Sequence, residues 1–367
     1  MKINILDLRP RHRLMPVPAD WYPVYINKRL WRDLDVQFNF YSTLDESITD
    51  CDCLFISSRF FTLHTKDDGD LSRTLEQIAS YREKTKVIWF DFRDSTGNTQ
   101  FEVLPHVDLY LKKQLLKDLT LYQKPLYGNR VYTNYIHEKF SISDSYDESC
   151  LPLQPEYEKK LGISWNPGLL DFRGGINPVM VRNLLTDKYE SVSKIRHQID
   201  WQNPLSERSH NMLALFSTNY KRETVAWQRK NIVHELRKIN DNKIVFDKKV
   251  PLAEEISIRK QSKIILSLFG WGEICSRDFQ AFIAGSCLVA ADTTHLRTWP
   301  TTHIPHKTYW PIKWDLSDIG EVYETLIGDN KLRFSLAMAG QQRYKQAWSL
   351  EGRKMFCDRL VKKIRTL

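Results

Sequence analysis

The residues whose types and spacing suit chemistry follow apolar runs that read as strands. The first group lies after Lys263–Phe269 and runs Gly270, Trp271, Gly272, Glu273, Ile274, Cys275, Ser276, Arg277, Asp278, Phe279. Gly270 and Gly272 permit a tight turn and close approach of a ligand to the backbone. Ser276 reads as the N-cap of a short helix that Gly285 ends. Such a helix presents free N–H groups and the positive end of its dipole, which suits a phosphate. Arg277 can neutralise that phosphate bidentately, and Glu273 can accept from paired ribose or sugar hydroxyls.

A second group closes the strand Lys86–Phe92: Asp91, Phe92, Arg93, Asp94, Ser95, Thr96, Gly97. Carboxylates at the carboxyl end of a strand can activate or orient a substrate. Asp94 is the preferred catalytic carboxylate and Asp91 the second choice, with Glu273 of the first group the remaining catalytic candidate. The next strand leaves Lys112 and Lys113 at the same rim. The first strand leads into Arg9, Arg11 and Arg13, a basic loop suited, with the two lysines, to an anionic acceptor.

Other constellations carry less. Asp50-Cys51-Asp52 has metal-motif spacing but precedes its strand, so it reads as a turn. The six cysteines lack CxxC spacing and read as buried free thiols of a reducing compartment. The ten histidines offer no HxxxH pair, so no metal site is expected. His295, just after the strand Cys287–Ala291, is the one to test. Trp299, Trp310 and Trp314 could stack on a base or sugar, though such rings more often belong to a core.

Positioning these groups requires alternating strands and helices. Ile3–Asp7, Val36–Tyr41, Cys53–Ser57, Lys86–Phe92 and Val107–Lys112 read as buried strands, with helical stretches such as Leu71–Glu83 between them. Helical pieces near Pro178–Leu185 and Lys188–Gln198 precede a linker at 203–211. A second cycle then runs from Met212–Ser217 through the helix Glu223–Lys238 to Cys287–Ala291. Continuous apolar strands separated by helices imply parallel sheets covered on both faces. The expected fold class is therefore α/β, with two Rossmann-like domains at 1–205 and 206–340. The closing helix, 341–367, carries an apolar stripe of Phe356, Leu360, Val361 and Ile364 that should pack back on the first domain.

The stretch Gly270–Gly285, with its Gly-x-Gly-Glu turn and Ala-x-Ala-Gly helix end, resembles the donor site of GT-B glycosyltransferases. Its continuation through Asp292–Pro300 and Tyr309–Asp315 is similar to bacterial family-1-like and exostosin-like transferases of surface polysaccharide assembly. The resemblance covers roughly 212–330 and implies a nucleotide-sugar donor, a metal-free reaction without cofactor, and an interdomain cleft. It assigns the donor diphosphate to Ser217, Thr218, Lys221, Arg222 and Arg229, together with Gly270, Trp271, Gly272, Glu273, Arg277, Asp278 and His295. Retaining members carry two glutamates with seven residues between them; Ala281 stands where the second would follow Glu273, so the stereochemical outcome stays open.

Charge and length bound the rest. The formal net charge of +9 is spread among acidic residues, which argues against nucleic acid as partner. No apolar run approaches the roughly 20 residues of a membrane span, so a cytoplasmic chain is expected. The basic flanks of the last helix suit an anionic inner-membrane surface. The expected reaction extends a lipid-linked or oligosaccharide acceptor of an O-antigen, capsule or lipopolysaccharide. The alternatives are a transferase using a CMP-Kdo-like keto-sugar donor through a cleft carboxylate, and a non-catalytic nucleotide- or glycan-binding protein.

Overall fold

The computed structural model describes residues 1–7, 19–43, 46–64, 68–145, 149–170 and 199–367. Arg9, Arg11 and Arg13, and the helical pieces expected near 178–185 and 188–198, lie outside the described residues.

Strands β1 (Lys2–Leu6), β2 (Gln37–Tyr41), β3 (Cys53–Ser57), β4 (Lys86–Asp91) and β5 (Leu109–Lys112) form a parallel sheet. β6 (Gln114–Leu116) leaves that sheet, and β7 (Leu161–Ile163) completes it in the order β2-β1-β3-β4-β5-β7. A second parallel sheet contains β8 (His210–Ala214), β9 (Ile244–Phe246), β10 (Ser262–Ser267) and β11 (Cys287–Ala291). β12 (Leu296–Thr298) stands apart, and β13 (Trp310–Ile312) closes the order β13-β11-β10-β8-β9. The central strands β3 and β11 are buried throughout, as strands covered on both faces must be. This is an α/β protein with two Rossmann-like units, as expected from the sequence.

Both sheets place their first strand between the second and the third, so both reverse order at the same point. Ligands of doubly wound sheets bind beyond the carboxyl ends of the strands at that reversal. In the second sheet it falls between β8 and β10, flanked by the loops 215–222 and 268–275.

Two features tie the units together. β6 pairs antiparallel with β12, with Leu116 opposite Leu296 and Gln114 opposite Thr298. Leu115 and Leu116 share one core with Phe279, Phe282 and Leu296, so apolar packing runs continuously across the junction. The helix Leu350–Arg365 buries Phe356, Leu360, Val361 and Ile364 against Ile3, Trp31 and Trp165. The Phe356 ring lies 5.3 Å from Trp165 and 5.8 Å from Trp31. Each such side chain contributes roughly 1.5–3 kcal/mol of hydrophobic stabilisation. Trp299 stacks on Phe356 as part of this packing.

Candidate active site

The turn after β10 leads into the helix Ser276–Ala284, which Gly285 ends at φ 64°. Only the helix start differs from expectation. Cys275 is the N-cap and Ser276 the first helical residue. Asp278, at the third helical position, accepts from the Cys275 N–H at 3.2 Å and pairs with His303 Nε2 at 3.1 Å; the Ser267 hydroxyl also donates to it. Asp278 is 2% exposed. Burial pushes its carboxyl up, and His303 and these hydrogen bonds outweigh that, leaving it below the usual range. It therefore holds the helix in place rather than facing a donor, which corrects the expectation for Asp278.

Arginines dominate the front of this helix. Arg229, on the helix Glu223–Ile239, reaches between the two loops and is 4% exposed. Its Nη1 donates to the Ser217 carbonyl at 3.0 Å, and its Nε and Nη2 donate to the Phe269 carbonyl at 3.2 and 3.1 Å. The Tyr220 ring lies 4.3 Å from the guanidinium. Carbonyls satisfy the donors but do not cancel the charge. Burial lowers the Arg229 pKa from its ordinary value, and Arg277 adds repulsion. Arg277 itself is half-buried over the Phe216 ring, 5.6 Å away. Two arginines with no carboxylate partner among the described residues thus meet at a helix N-terminus beyond the β8/β10 reversal, an arrangement that favours an anion.

The rest of the loop after β8 divides. Ser217 and Lys221 are exposed and Thr218 is half-buried, so all three are accessible at this edge. Arg222 is not. Its Nη1 donates to Asp144 at 3.1 Å, with both side chains buried, and Asp144 also accepts from the Thr224 N–H at 2.9 Å. The expectation that Arg222 holds donor phosphate is corrected: it anchors the start of its helix to the segment around Asp144. Trp271 is half-exposed, with Tyr220 5.7 Å away and Arg130 donating to its carbonyl at 3.0 Å. His295 sits between Phe269 and Trp314, its ring 5.0 Å from the latter, and its buried Nε2 has no hydrogen-bond partner among the described residues. Burial pulls its pKa below the ordinary value and keeps the ring neutral at neutral pH.

Glu273 differs most from expectation. Its Oε1 accepts from the Thr96 hydroxyl at 2.6 Å and the Ser95 hydroxyl at 3.2 Å. Its Oε2 accepts from Gln114 Nε2 at 2.8 Å and the Thr96 N–H at 3.1 Å. A carboxylate has about four lone-pair sites, and all are filled by the first domain. Glu273 is a clasp between the domains, and no lone pair remains for ribose. Beside it, a Cβ on Gly272 would stand 2.1 Å from the Asp94 carbonyl oxygen. Gly272 is thus required by the opposing backbone rather than by a ligand. Glu273→Ala leaves four donors without an acceptor and should cost about 2–5 kcal/mol. Urea denaturation reads this directly, and an unchanged midpoint would mean that the clasp does not form in solution.

In the first domain the two candidate carboxylates part company. Asp91 is fully buried and receives Lys112 Nζ at 2.6 Å, the Tyr110 hydroxyl at 2.5 Å and the Arg93 N–H at 2.9 Å. Asp91 and Lys112 are therefore a buried ion pair, and neither faces substrate: the catalytic expectation for Asp91 and the acceptor expectation for Lys112 are both corrected. Lys113 is also committed, since its Nζ holds Asp94 Oδ1 at 3.0 Å. The Asp94 side chain remains 62% exposed. Partial desolvation raises its pKa, but Lys113, with Arg59 and Lys112 further off, prevails and leaves it below the ordinary value. Asp94 is thus an accessible, ionised carboxylate whose backbone touches the turn that carries Trp271 and Glu273.

Ser95 and Thr96 lie in the group read from the sequence but were given no role toward Glu273, and Gln114 and Tyr132, whose hydroxyl donates to the Gly270 carbonyl, were not singled out. The one available signal was their hydroxyl and amide chemistry close to Asp94 and Lys113. Among the described residues, no three His, Cys, Asp or Glu side chains gather as a metal site would require, and no helix is long and apolar enough to cross a membrane.

No family model matches the sequence. Among solved structures, an alpha-glucosyltransferase in complex with UDP and a 13-mer DNA is similar at 12% identity and TM-score 0.46, covering 100% of both chains. HepE of Anabaena, in complex with UDP-glucose, is similar at 10% identity and TM-score 0.45, also covering 100% of both chains. A bifunctional uridylyltransferase/uridylyl-removing enzyme of Psychrobacter cryohalolentis is 28% identical over 135 residues. That match covers 35% of this chain and spans only 14% of the relative's length.

Proposed function

We propose that this chain is a glycosyltransferase that moves a sugar from a nucleotide diphosphate sugar to a glycan acceptor. The observation that carries the reading is the pair Arg229 and Arg277. Both lie at the β8/β10 reversal point with no carboxylate partner among the described residues, and across the domain junction stands the accessible carboxylate of Asp94.

The donor diphosphate lies against Arg277 and the start of the helix Ser276–Ala284, with Ser217, Thr218 and Lys221 on its other side. Arg229, pinned by the carbonyls of both loops, supplies fixed positive charge behind them. Preorganised cations of this kind stabilise negative charge as it develops on a leaving phosphate and need no reorganisation to do so. Trp271, Tyr220 and the neutral ring of His295 offer faces for the base or the sugar. Asp94 then serves as base toward an acceptor hydroxyl, or as the anion beside a sugar that gains positive charge. In this reading the chain's own residues supply the electrostatics and no metal is needed.

The acceptor is a lipid-linked or oligosaccharide intermediate of bacterial surface glycan. It approaches a chain that works in the cytoplasm, on the inner-membrane face, where the basic side of the last helix meets anionic lipid. Docking occupies that helix's apolar stripe and leaves Lys354, Lys362 and Arg365 for the surface. The O-antigen, capsule or lipopolysaccharide class follows from the sequence resemblance and requires acceptor assays.

Arg277→Ala tests the donor site. Removing one charge-assisted contact to phosphate costs about 1.5–3 kcal/mol, which is roughly ten- to a hundredfold in affinity. Thermal-shift titration with UDP, GDP, CMP and ADP should show one preferred diphosphate, and its stabilisation should fall in the variant. Unchanged stabilisation would remove Arg277 from the site. A preference for CMP would favour the keto-sugar donor. Binding without hydrolysis or transfer across a donor panel would favour a non-catalytic binding protein.

A further inference from the structure

The second domain holds a further cavity at the amino-terminal ends of its strands, away from the domain junction. It encloses about 330 Å³, at the low end of the range for small-molecule sites. Ser206 and Arg208 before β8, Lys263 at the start of β10, Gly285, and Arg333 with Phe334 on the helix Asn330–Trp348 form its wall.

Three of these residues are cations, and neutral oxygens alone hold them. Arg208 donates to the Ala284 carbonyl at 2.6 Å and the Lys260 carbonyl at 2.7 Å. Lys263 donates to Asn211 Oδ1 at 2.7 Å. Arg333, only 4% exposed, donates to the Leu326 carbonyl at 2.6 Å. Among the described residues none of the three is ion-paired with a carboxylate, and Glu207 on the rim is exposed. The charges act on one another. Burial lowers the pKa of Arg208 and of Lys263, and the Arg333 charge lowers both further. Asp241 and Asp329, outside the wall, offset part of this charge, but the wall itself carries three cations against the one carboxylate of Glu207, and a concave surface of mostly one sign concentrates counter-ions of the other.

We propose that this cavity binds a phosphate-bearing small molecule, with Lys263 and Arg333 neutralising the phosphate and Phe334 and Leu205 against its apolar part. An ammonium carries three donors, and Lys263 uses one on Asn211, so others remain for the anion. The site touches the second domain's chemistry through Arg208, which caps the carbonyls of Ala284 and Gly285. These end the same helix that carries Arg277 at its start. An anion that draws on Arg208 therefore bears on that helix from its far end.

Calorimetric titration of the full chain with sodium pyrophosphate tests this, carried out on the Arg277→Ala variant so that the junction arginine does not contribute. Saturable binding is expected, and adding Lys263→Gln or Ser206→Glu should weaken it about tenfold or more. In the unaltered chain, pyrophosphate should also slow amide exchange at 204–208 and 330–337, a readout that holds even if a variant folds poorly. Absence of saturable binding, equal affinity in all variants, or no added protection in those segments overturns the proposal.

Discussion

Replacing Asp94 by Asn is expected to lower kcat for sugar transfer by about 10²–10⁴-fold, the range typical of a positioned proton-transfer or charge-stabilising group. The fold should tolerate it. Asn keeps an oxygen that can accept from Lys113, whose ammonium is buried, so the loss should stay within about 1.5–3 kcal/mol, the worth of a hydrogen bond to a charged group. Donor binding should also persist, because Arg229 and Arg277 sit on the other domain. The discriminating measurement is single-turnover transfer alongside nucleotide affinity. Loss of turnover with intact affinity supports Asp94 as a catalytic group. Turnover within threefold of the unaltered chain would exclude it.

Asp91→Ala should behave in the opposite way. It leaves Lys112 as an uncompensated buried charge and strips an acceptor from Tyr110. Breaking a buried pair by removing one partner costs about 3–5 kcal/mol, a large share of a protein's stability of about 5–15 kcal/mol. The midpoint of chemical denaturation reports this. Replacing both partners with apolar residues of similar volume should recover much of the loss, because the desolvation penalty then disappears with the charges. Acid unfolding checks the same pair. Burial raises the Asp91 carboxyl, but Lys112 and Arg93 prevail and hold it below the ordinary 3.8. The stability it contributes is complete above that ordinary value and is lost as the pH falls through the lower, folded one. An Asp91 variant should therefore lose part of the acid dependence seen in the unaltered chain.

The contrast between these two aspartates shows how much of the site was legible. Asp91 is the last residue of β4, paired and buried in the sheet, while Asp94 lies three positions beyond it in the turn. Sequence spacing placed both at the right edge of the right sheet. It could not say that Lys112, on the neighbouring strand β5, lies in register with Asp91. Arg229 and Arg222 repeat the lesson. One reaches the loops around β10, while the other turns to Asp144, a residue 78 positions away in sequence. Nothing local to either arginine distinguishes them.

Hydrophobic periodicity by itself determined the parallel strands, the two Rossmann-like units, the helix ended by Gly285 and the apolar stripe of the last helix. These depend on patterns within a dozen residues, and burial enforces them wherever the chain goes. The same local reading placed the glycine turn and helix start after β10. Only the tertiary structure decided what Glu273 does. The sequence presents it as a reader of hydroxyls, and from its own segment that is sound chemistry. Folding brings Ser95, Thr96 and Gln114 to it from the other domain, and a buried carboxylate must accept every donor that reaches it. The β6/β12 ribbon was equally hidden, because three-residue strands carry no period and their pairing exists only once the domains meet. Local pattern thus set each domain and its edge of reactive groups. Which of those groups remain free for chemistry was settled by long-range pairing, since a polar group that folding buries takes the partner it finds there.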